Sequence, residues 1–383
     1  MRQFILPSIY WLVAFFLTLP IRRRAKYRRM MLVSEKGNDA RDNGYHFFLY
    51  VKQNHPEIDA YYIISDDSPD RARLAAYESH LVRYLSFRHC MMFWKAHYLV
   101  GTHLRAGHTP LPFALVKYLN RYLHIYRGKK VANIKHGITK NYIGRMVYEN
   151  THYDLMVCGA APEEAYMRDA LHYPPTVARY TGFCRFDKLL DFKVKRQILV
   201  MPTWRKYLNS GNLKGSKYYR SFEELLCSKR LEEVLERYDI DLVFYPHHRL
   251  QPYVEEFKRN GMTKRIIIAD LAHYDVQQLL KESALMVTDY SSVLFDFIYM
   301  RKPVVFYQFD REEYWGKHMA RGYVDEDAFG PVKNDVDSLI DEMEKYLSSG
   351  MRLETQYLAE VERFFPMHDA QNCERVYEAL MQC

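Results

Sequence analysis

Residues able to do chemistry collect where four apolar runs stop. In VANIKHGITKNY a β-branched run ends at Lys135, His136 and Gly137. The glycine permits a sharp turn, and an imidazole with an unperturbed pKa of about 6.5 suits a general base. In QILVMPTWRKY the run ends in Pro202, Thr203, Trp204 and Arg205. A guanidinium there can clamp a phosphate bidentately, and the threonine hydroxyl can hydrogen-bond it. In DLVFYPHHRL, His247, His248 and Arg249 follow the third run. Adjacent strand side chains point to opposite faces, so the two histidines make a poor metal pair; one of them facing a phosphate is the better reading. The fourth run, LMVTDYSSVLFDFIYM, breaks at Asp289 and Tyr290, and Ser291 and Ser292 then open a helix. Free N–H groups and hydroxyls at such an end suit a phosphate or pyrophosphate. Asp296, about a turn and a half further on, is placed to reach a ribose hydroxyl.

Each cluster has a plainer alternative. His136 can be a satisfied loop histidine, one of sixteen in the chain. Arg205 can be a surface arginine beside a packed tryptophan, and Ser291 can simply cap its helix. Several chemistries are absent from the pattern. There is no Gly-x-Gly-x-x-Gly and no Gly-Lys-Ser/Thr loop, and no HExxH or spaced Cys/His set for a catalytic metal.

The elements that must position these residues alternate. Short runs rich in Val, Ile, Leu and Tyr read as strands at 60–64, 97–102, 130–135, 153–158, 197–201, 241–245, 265–269, 284–288 and 303–307. Helical spacing reads at 162–171, 221–238, 275–283, 291–299 and 336–348. Alternating β and α units predict parallel sheets covered by helices, an α/β fold. A charged, Lys-rich stretch near 185–200 divides two such series, and ligands are expected beyond the carboxyl ends of the strands, in a cleft between two lobes.

Length points the same way, since 383 residues exceed one ordinary core. The six cysteines form no CxxC pair, which argues against a zinc ribbon or disulfide framework. Net charge is +8, but residues 1–30 hold Arg2, Arg22, Arg23, Arg24, Lys26, Arg28 and Arg29 with no acid, so the body is near balance. A nucleic-acid binder would spread its basic face over the body. Residues 4–21 are uncharged and only just long enough to span a bilayer, with Pro7 and Pro20 weakening a spanning helix. Apolar residues followed at once by a basic cluster predict a membrane anchor held to an anionic cytoplasmic leaflet, lying on the bilayer or spanning it. The alternative is a buried first helix with a solvated basic linker.

The ordered set KHGITK (135–140), TGFCRFDKL (181–189), MPTWRKYL (201–208), YPHH (245–248) and TDYSSVLFDFIYMRKPVVFYQFD (288–310), with HMARGYVDEDAFGPV (318–332), resembles the CDP-glycerol glycerophosphotransferases of teichoic acid and capsular polymer synthesis. The resemblance covers roughly residues 31–365. It implies a GT-B fold of two Rossmann-like domains facing a central cleft. The expected domains are a membrane-associating segment 1–30, an acceptor domain 31–190, a CDP-binding domain 191–365 and a C-terminal helix 366–383. His136 and His247 are the catalytic candidates it implies, with Thr203, Arg205, Asp289, Ser291, Ser292 and Asp296 binding substrate. The chain departs from the family's HGTPLK as HGITKN, so Thr139 and Lys140 carry over no role, and Cys184 replaces a usual proline. The implied reaction moves glycerol phosphate, or a related polyol phosphate, from CDP-glycerol to a hydroxyl of a lipid-linked polyprenyl-diphosphate or polymer acceptor. CMP is released, and no cofactor is called for. The competing readings are a GT-B nucleotide-sugar glycosyltransferase or epimerase, and a non-catalytic membrane tether.

Overall fold

The structure, a computed structural model, describes residues 4–104, 107–209, 211–247, 249–258, 262–317 and 322–383. Arg2, His248 and the HMAR segment at 318–321, singled out above, lie outside the described residues. The chain separates into two compact units. The first holds residues 1–139, 143–188 and 369–383, and the second 140–142 and 189–368.

In the first unit the order is α1 (Ile5–Thr18), β1 (Met30–Ser34), α2 (Asn43–Asn54), β2 (Asp59–Ile64), β3 (Leu81–Arg83), α3 (Phe87–Lys95), β4 (Tyr98–Gly101), α4 (Phe113–Leu123), β5 (Lys130–Asn133), α5 (Tyr148–Thr151), β6 (Leu155–Cys158), α6 (Ala161–Leu171) and β7 (Ala178–Tyr180). Its strands form one parallel sheet in the order β3-β2-β1-β4-β5-β6-β7. Every residue of β1 and β6 is buried, as expected of strands with helices on both faces.

The second unit runs β8 (Gln197–Val200), α7 (Lys217–Leu226), α8 (Lys229–Arg237), β9 (Asp241–Phe244), β10 (Ile266–Ile268), α9 (Val276–Glu282), β11 (Leu285–Thr288), α10 (Leu294–Tyr299), β12 (Val304–Tyr307), α11 (Arg311–Lys317), β13 (Val332–Lys333), α12 (Val336–Ser348) and α13 (Thr355–Phe364). Its sheet is also parallel, in the order β10-β9-β8-β11-β12-β13. The chain then closes with α14 (Asn372–Met381), which belongs to the first unit. In both sheets the order reverses beside the first strand, at β1/β4 and at β8/β11. Such switch points are where open α/β sheets bind ligands.

Two expectations need correction. The N-terminal segment is not set apart from the first unit. Pro7, Trp11, Ala14 and Thr18 form one buried stripe of α1, at helical spacing, against the first unit's core. The Trp11 and Trp94 rings lie 4.5 Å apart, and the Trp94 indole N–H donates to the Trp11 carbonyl at 3.0 Å. Among the described residues no helix is long and apolar enough to cross a membrane. The stretch 221–238, read as one helix, is two. α7 ends at Leu226, and the Ser228 hydroxyl caps α8 by accepting the Leu231 N–H.

The C-terminal helix docks through the TGFCRFD segment. Asp187 accepts the Asn372 and Cys373 N–H groups at 2.8 and 2.9 Å, at the start of α14. Gly182 has φ +75°, and a Cβ there would sit 1.8 Å from Asn372 Oδ1, so this position demands glycine.

Candidate active site

At the carboxyl edge of the first sheet, the chain leaves β5 through Ile134 and turns sharply at Lys135, whose φ is +52°. A left-handed backbone is costly for a residue with a side chain and persists only where its surroundings enforce it. Here they do. The Lys135 side chain is buried and ion-paired to Glu163. Glu163 also accepts the Thr139 N–H, and the Gly159 N–H at 2.7 Å. The Asn43 amide donates to the Lys135 carbonyl at 2.9 Å and accepts the Arg185 N–H at 3.0 Å. Lys135 and Glu163 thus build the loop, and the next residue, His136, is left exposed.

His136 Nδ1 lies 3.4 Å from the Thr102 carbonyl. A carbonyl only accepts, so Nδ1 carries the proton and Nε2 keeps its lone pair. Desolvation by the surrounding protein lowers the His136 pKa. Asp42 and the Thr102 carbonyl work against that, and Lys36 and Arg185 reinforce it. The net effect keeps the imidazole neutral, the form a base needs. Arg185 ties this edge together, donating to Asp42 at 2.9 Å and to the His136 carbonyl at 3.2 Å.

Sequence reasoning assigned nothing to Glu35, Asp42, Asn43, Thr102, Glu163 or Arg185. Glu35, at the end of β1, is buried and accepts N–H groups from Arg41, Asp42 and Tyr45 at the start of α2. Burial and the nearby Asp42 push its carboxyl up to about 8. Of these residues only Arg185 lay inside a recognised motif.

In the second unit the switch point is bridged by charge. Arg205, after β8, is fully buried. Its Nε and Nη2 donate to Asp310 at 2.7 and 3.0 Å. Nη1 reaches the Thr203 carbonyl at 2.7 Å and Asp289 Oδ2 at 2.9 Å. The rings of Tyr218, Tyr290 and Tyr314 surround the guanidinium at about 5 Å, stacking that favours a planar cation. Desolvation pulls its pKa down, but Asp289 and Asp310 more than offset this and hold it well above the usual value. Asp289 is engaged through one oxygen. Its Oδ1 accepts the Thr203 N–H at 2.8 Å and the Tyr290 N–H at 2.6 Å. Arg205 and Asp289, expected to contact substrate, hold the β8 and β11 ends together, and Asp289 Oδ2 is buried without a hydrogen bond.

The remaining candidates differ in their surroundings. The Thr203 hydroxyl is buried with no hydrogen-bond partner. The helix at 291–299 starts later than read, at Leu294. Ser291 Oγ accepts the Val293 N–H at 3.3 Å, while Leu294, Phe295 and Asp296 donate back to residues 291–293. The Ser291 and Ser292 N–H groups stand outside that ladder, and Ser292 is exposed. Asp296 is buried in the first turn of α10. His247, beyond β9, accepts the Arg249 N–H on Nδ1 at 3.3 Å, which puts its proton on Nε2. Among the described residues no group of His, Cys, Asp and Glu is arranged to hold a metal.

Lys140, left without a role by the motif's shift, belongs to the second unit, where it pairs with buried Glu326 at 2.9 Å. Gly322 lies against the Lys140 carbonyl, where a Cβ would come within 1.5 Å.

Comparison with known proteins agrees with these motifs. The profile of the family described as CDP-Glycerol:Poly(glycerophosphate) glycerophosphotransferase matches residues 15–382. The Minor teichoic acid biosynthesis protein GgaB of Bacillus subtilis (strain 168) is 28% identical over 369 residues, covering 92% of this chain. The chain spans 39% of that protein's length. Among solved structures, the Wall Teichoic Acid Polymerase TagF superposes with a TM-score of 0.68 at 15% identity, covering 100% of this chain and 93% of that one. A Methanocaldococcus jannaschii UDP-GlcNAc 2-epimerase, solved with UDP-GlcNAc and UDP, reaches a TM-score of 0.51 at 13% identity, covering 92% and 99%. At these identities the structural likeness is one of fold.

Proposed function

From the premise that the chain belongs to the CDP-glycerol:poly(glycerophosphate) glycerophosphotransferase family, we propose that it is a GT-B transferase of teichoic acid or capsular polymer synthesis. It moves glycerol phosphate, or a related polyol phosphate, from CDP-glycerol to a hydroxyl of a lipid-linked acceptor. The acceptor hydroxyl gives its proton to His136 Nε2 as its oxygen bonds to the phosphorus bearing glycerol. The bond from that phosphorus to the CMP oxygen breaks, and CMP leaves with the electron pair. The Thr203 hydroxyl, the Ser291 and Ser292 helix end and the His247 Nε2–H stabilise the phosphate oxygens, and Asp296 serves the ribose. Arg205 and Asp289 act one step back, by fixing the loops that carry Thr203 and Ser291.

The observation that carries this reading is the geometry of His136: exposed at a strand end, with Nδ1 held toward the Thr102 carbonyl so that Nε2 keeps its lone pair. The test is to incubate the full chain with CDP-glycerol, CDP-ribitol and UDP-sugars plus a lipid-linked acceptor analogue. CMP release with polyol phosphate added to the acceptor is expected. Release of a nucleoside diphosphate from a sugar donor instead would replace this reading with a glycosyltransferase.

The same proposal places the protein on the anionic cytoplasmic face of the membrane, lying on it. The outer face of α1 exposes Ile5, Leu6, Ile9, Leu12, Val13, Phe16 and Leu17, directly before the basic cluster at 22–29. That pairing suits insertion to headgroup depth, with about 1 kcal/mol from each basic residue at an anionic surface. Leu115, Tyr118, Tyr122 and Leu123 on α4, beside Lys117 and Arg121, repeat the pattern. Co-sedimentation with phosphatidylserine vesicles, and not with phosphatidylcholine alone, is the expected result.

A further inference from the structure

Two neighbouring strand ends of the first sheet bring two imidazoles face to face. β4 and β5 pair in register with Gly101 opposite Asn133. His103 lies two residues beyond the first of these and His136 three beyond the second. Their rings stack with centroids 4.1 Å apart and planes 4° from parallel. Thr102 serves both: its carbonyl faces His136 Nδ1 at 3.4 Å, and its hydroxyl lies 2.8 Å from His103 Nδ1. Gly107 has φ +84°, and a side chain there would strike Ser34 of β1.

We propose that His103 is a positioning residue for the His136 base, holding that ring by stacking and, through Thr102, in the tautomer that leaves Nε2 to accept a proton. The inference rests on the role given to His136 above. The groups facing this pair are known. Asp42, capping α2, favours a charge on His136, while Lys36 beyond β1 and Arg185 oppose one. Burial, His136 and Lys36 together hold His103 far below its ordinary pKa. His103 is therefore neutral throughout the working range and acts by contact and by excluding water from one face of its neighbour. Stacked imidazoles also cannot both take a proton without strong repulsion.

The test compares His103→Ala, His103→Gln, His103→Phe and His136→Ala with the unaltered protein, reading kcat and KM from about pH 5 to pH 8.5. His103→Ala is expected to lower kcat about tenfold with KM for CDP-glycerol unchanged, as loss of base positioning does. Its acid limb is expected to move to higher pH, because water reaching the ring returns His136 toward about 6.5. His103→Gln keeps a polar group for the Thr102 hydroxyl but no ring, and is expected to match alanine. His103→Phe keeps the stacked face, and is expected to restore most of kcat with the acid limb where the unaltered protein has it. An alanine variant with unaltered kcat and acid limb would overturn the proposal, as would a phenylalanine variant no better than alanine. Turnover surviving in His136→Ala would instead remove the catalytic reading on which it rests, and the two failures are distinct.

Discussion

After β5 and after β8 the chain does similar things with a strand-end cation, and the outcomes differ. In the first unit Lys135 turns inward to Glu163, and the residue beside it stays exposed for chemistry. In the second unit it is Arg205, the residue best suited by type to grip a phosphate, that goes inward. Two carboxylates and three tyrosine rings enclose it. What the same strand ends leave beside it is smaller: an unpartnered threonine hydroxyl and a serine-headed turn. In both places the strand-end cation anchors its loop. Two buried carboxylates and a carbonyl take up four of the guanidinium's five N–H donors.

The largest effect that would sharpen this contrast is at His136. His136→Ala should lower kcat by about 10²–10⁴, the usual worth of a general base, while leaving CDP-glycerol affinity by calorimetry unchanged. Comparable turnover in both proteins would break the comparison on its first side. Next comes Arg205→Ala, which strands Asp289 and Asp310 as buried unpaired charges at a cost of about 3–5 kcal/mol. A thermal melt should shift down by roughly 10 °C. Arg205→Lys should not recover it, since an ammonium cannot fill the planar fork. A direct phosphate ligand would give the opposite result, an intact melt with a raised KM. Thr203→Val is the converse case: KM for CDP-glycerol should rise about tenfold, with the melting temperature within a degree or two. The smallest effect is in pH. Because desolvation lowers the His136 pKa, its neutral form persists below about pH 6.5, and activity should fall only as acidification passes that lowered value. An acid limb centred above 6.5 would mean that His136 is more hydrated than its surroundings imply.

Much of the scaffold was legible in the residues. The runs at 197–201, 241–245 and 284–288 became β8, β9 and β11 with only their ends trimmed, because fully buried parallel strands must be continuous apolar runs. The run at 336–348 is α12 as read. β1, which sits beside the switch point, was not seen. MMLVS is five residues directly behind a basic cluster, too short for periodicity to declare itself. The site was legible in part. Glycine and histidine at 136–137 announced a turn with a titratable group. Nothing in the spacing announced Glu163 or Asp310 as the partners of Lys135 and Arg205, which lie 28 and 105 residues away in the chain.

Residue order alone determined the alternation of strands and helices, the division into two sheet-bearing series, and the clustering of polar groups where apolar runs end. These follow from local propensity and from the need to bury apolar runs. Only the tertiary structure decided which polar groups are consumed and which remain available. That outcome depends on counting each donor against acceptors brought in from distant strands. Arg205 committed four of its five donors to Asp289, Asp310 and a carbonyl, while His136 kept one nitrogen in reserve.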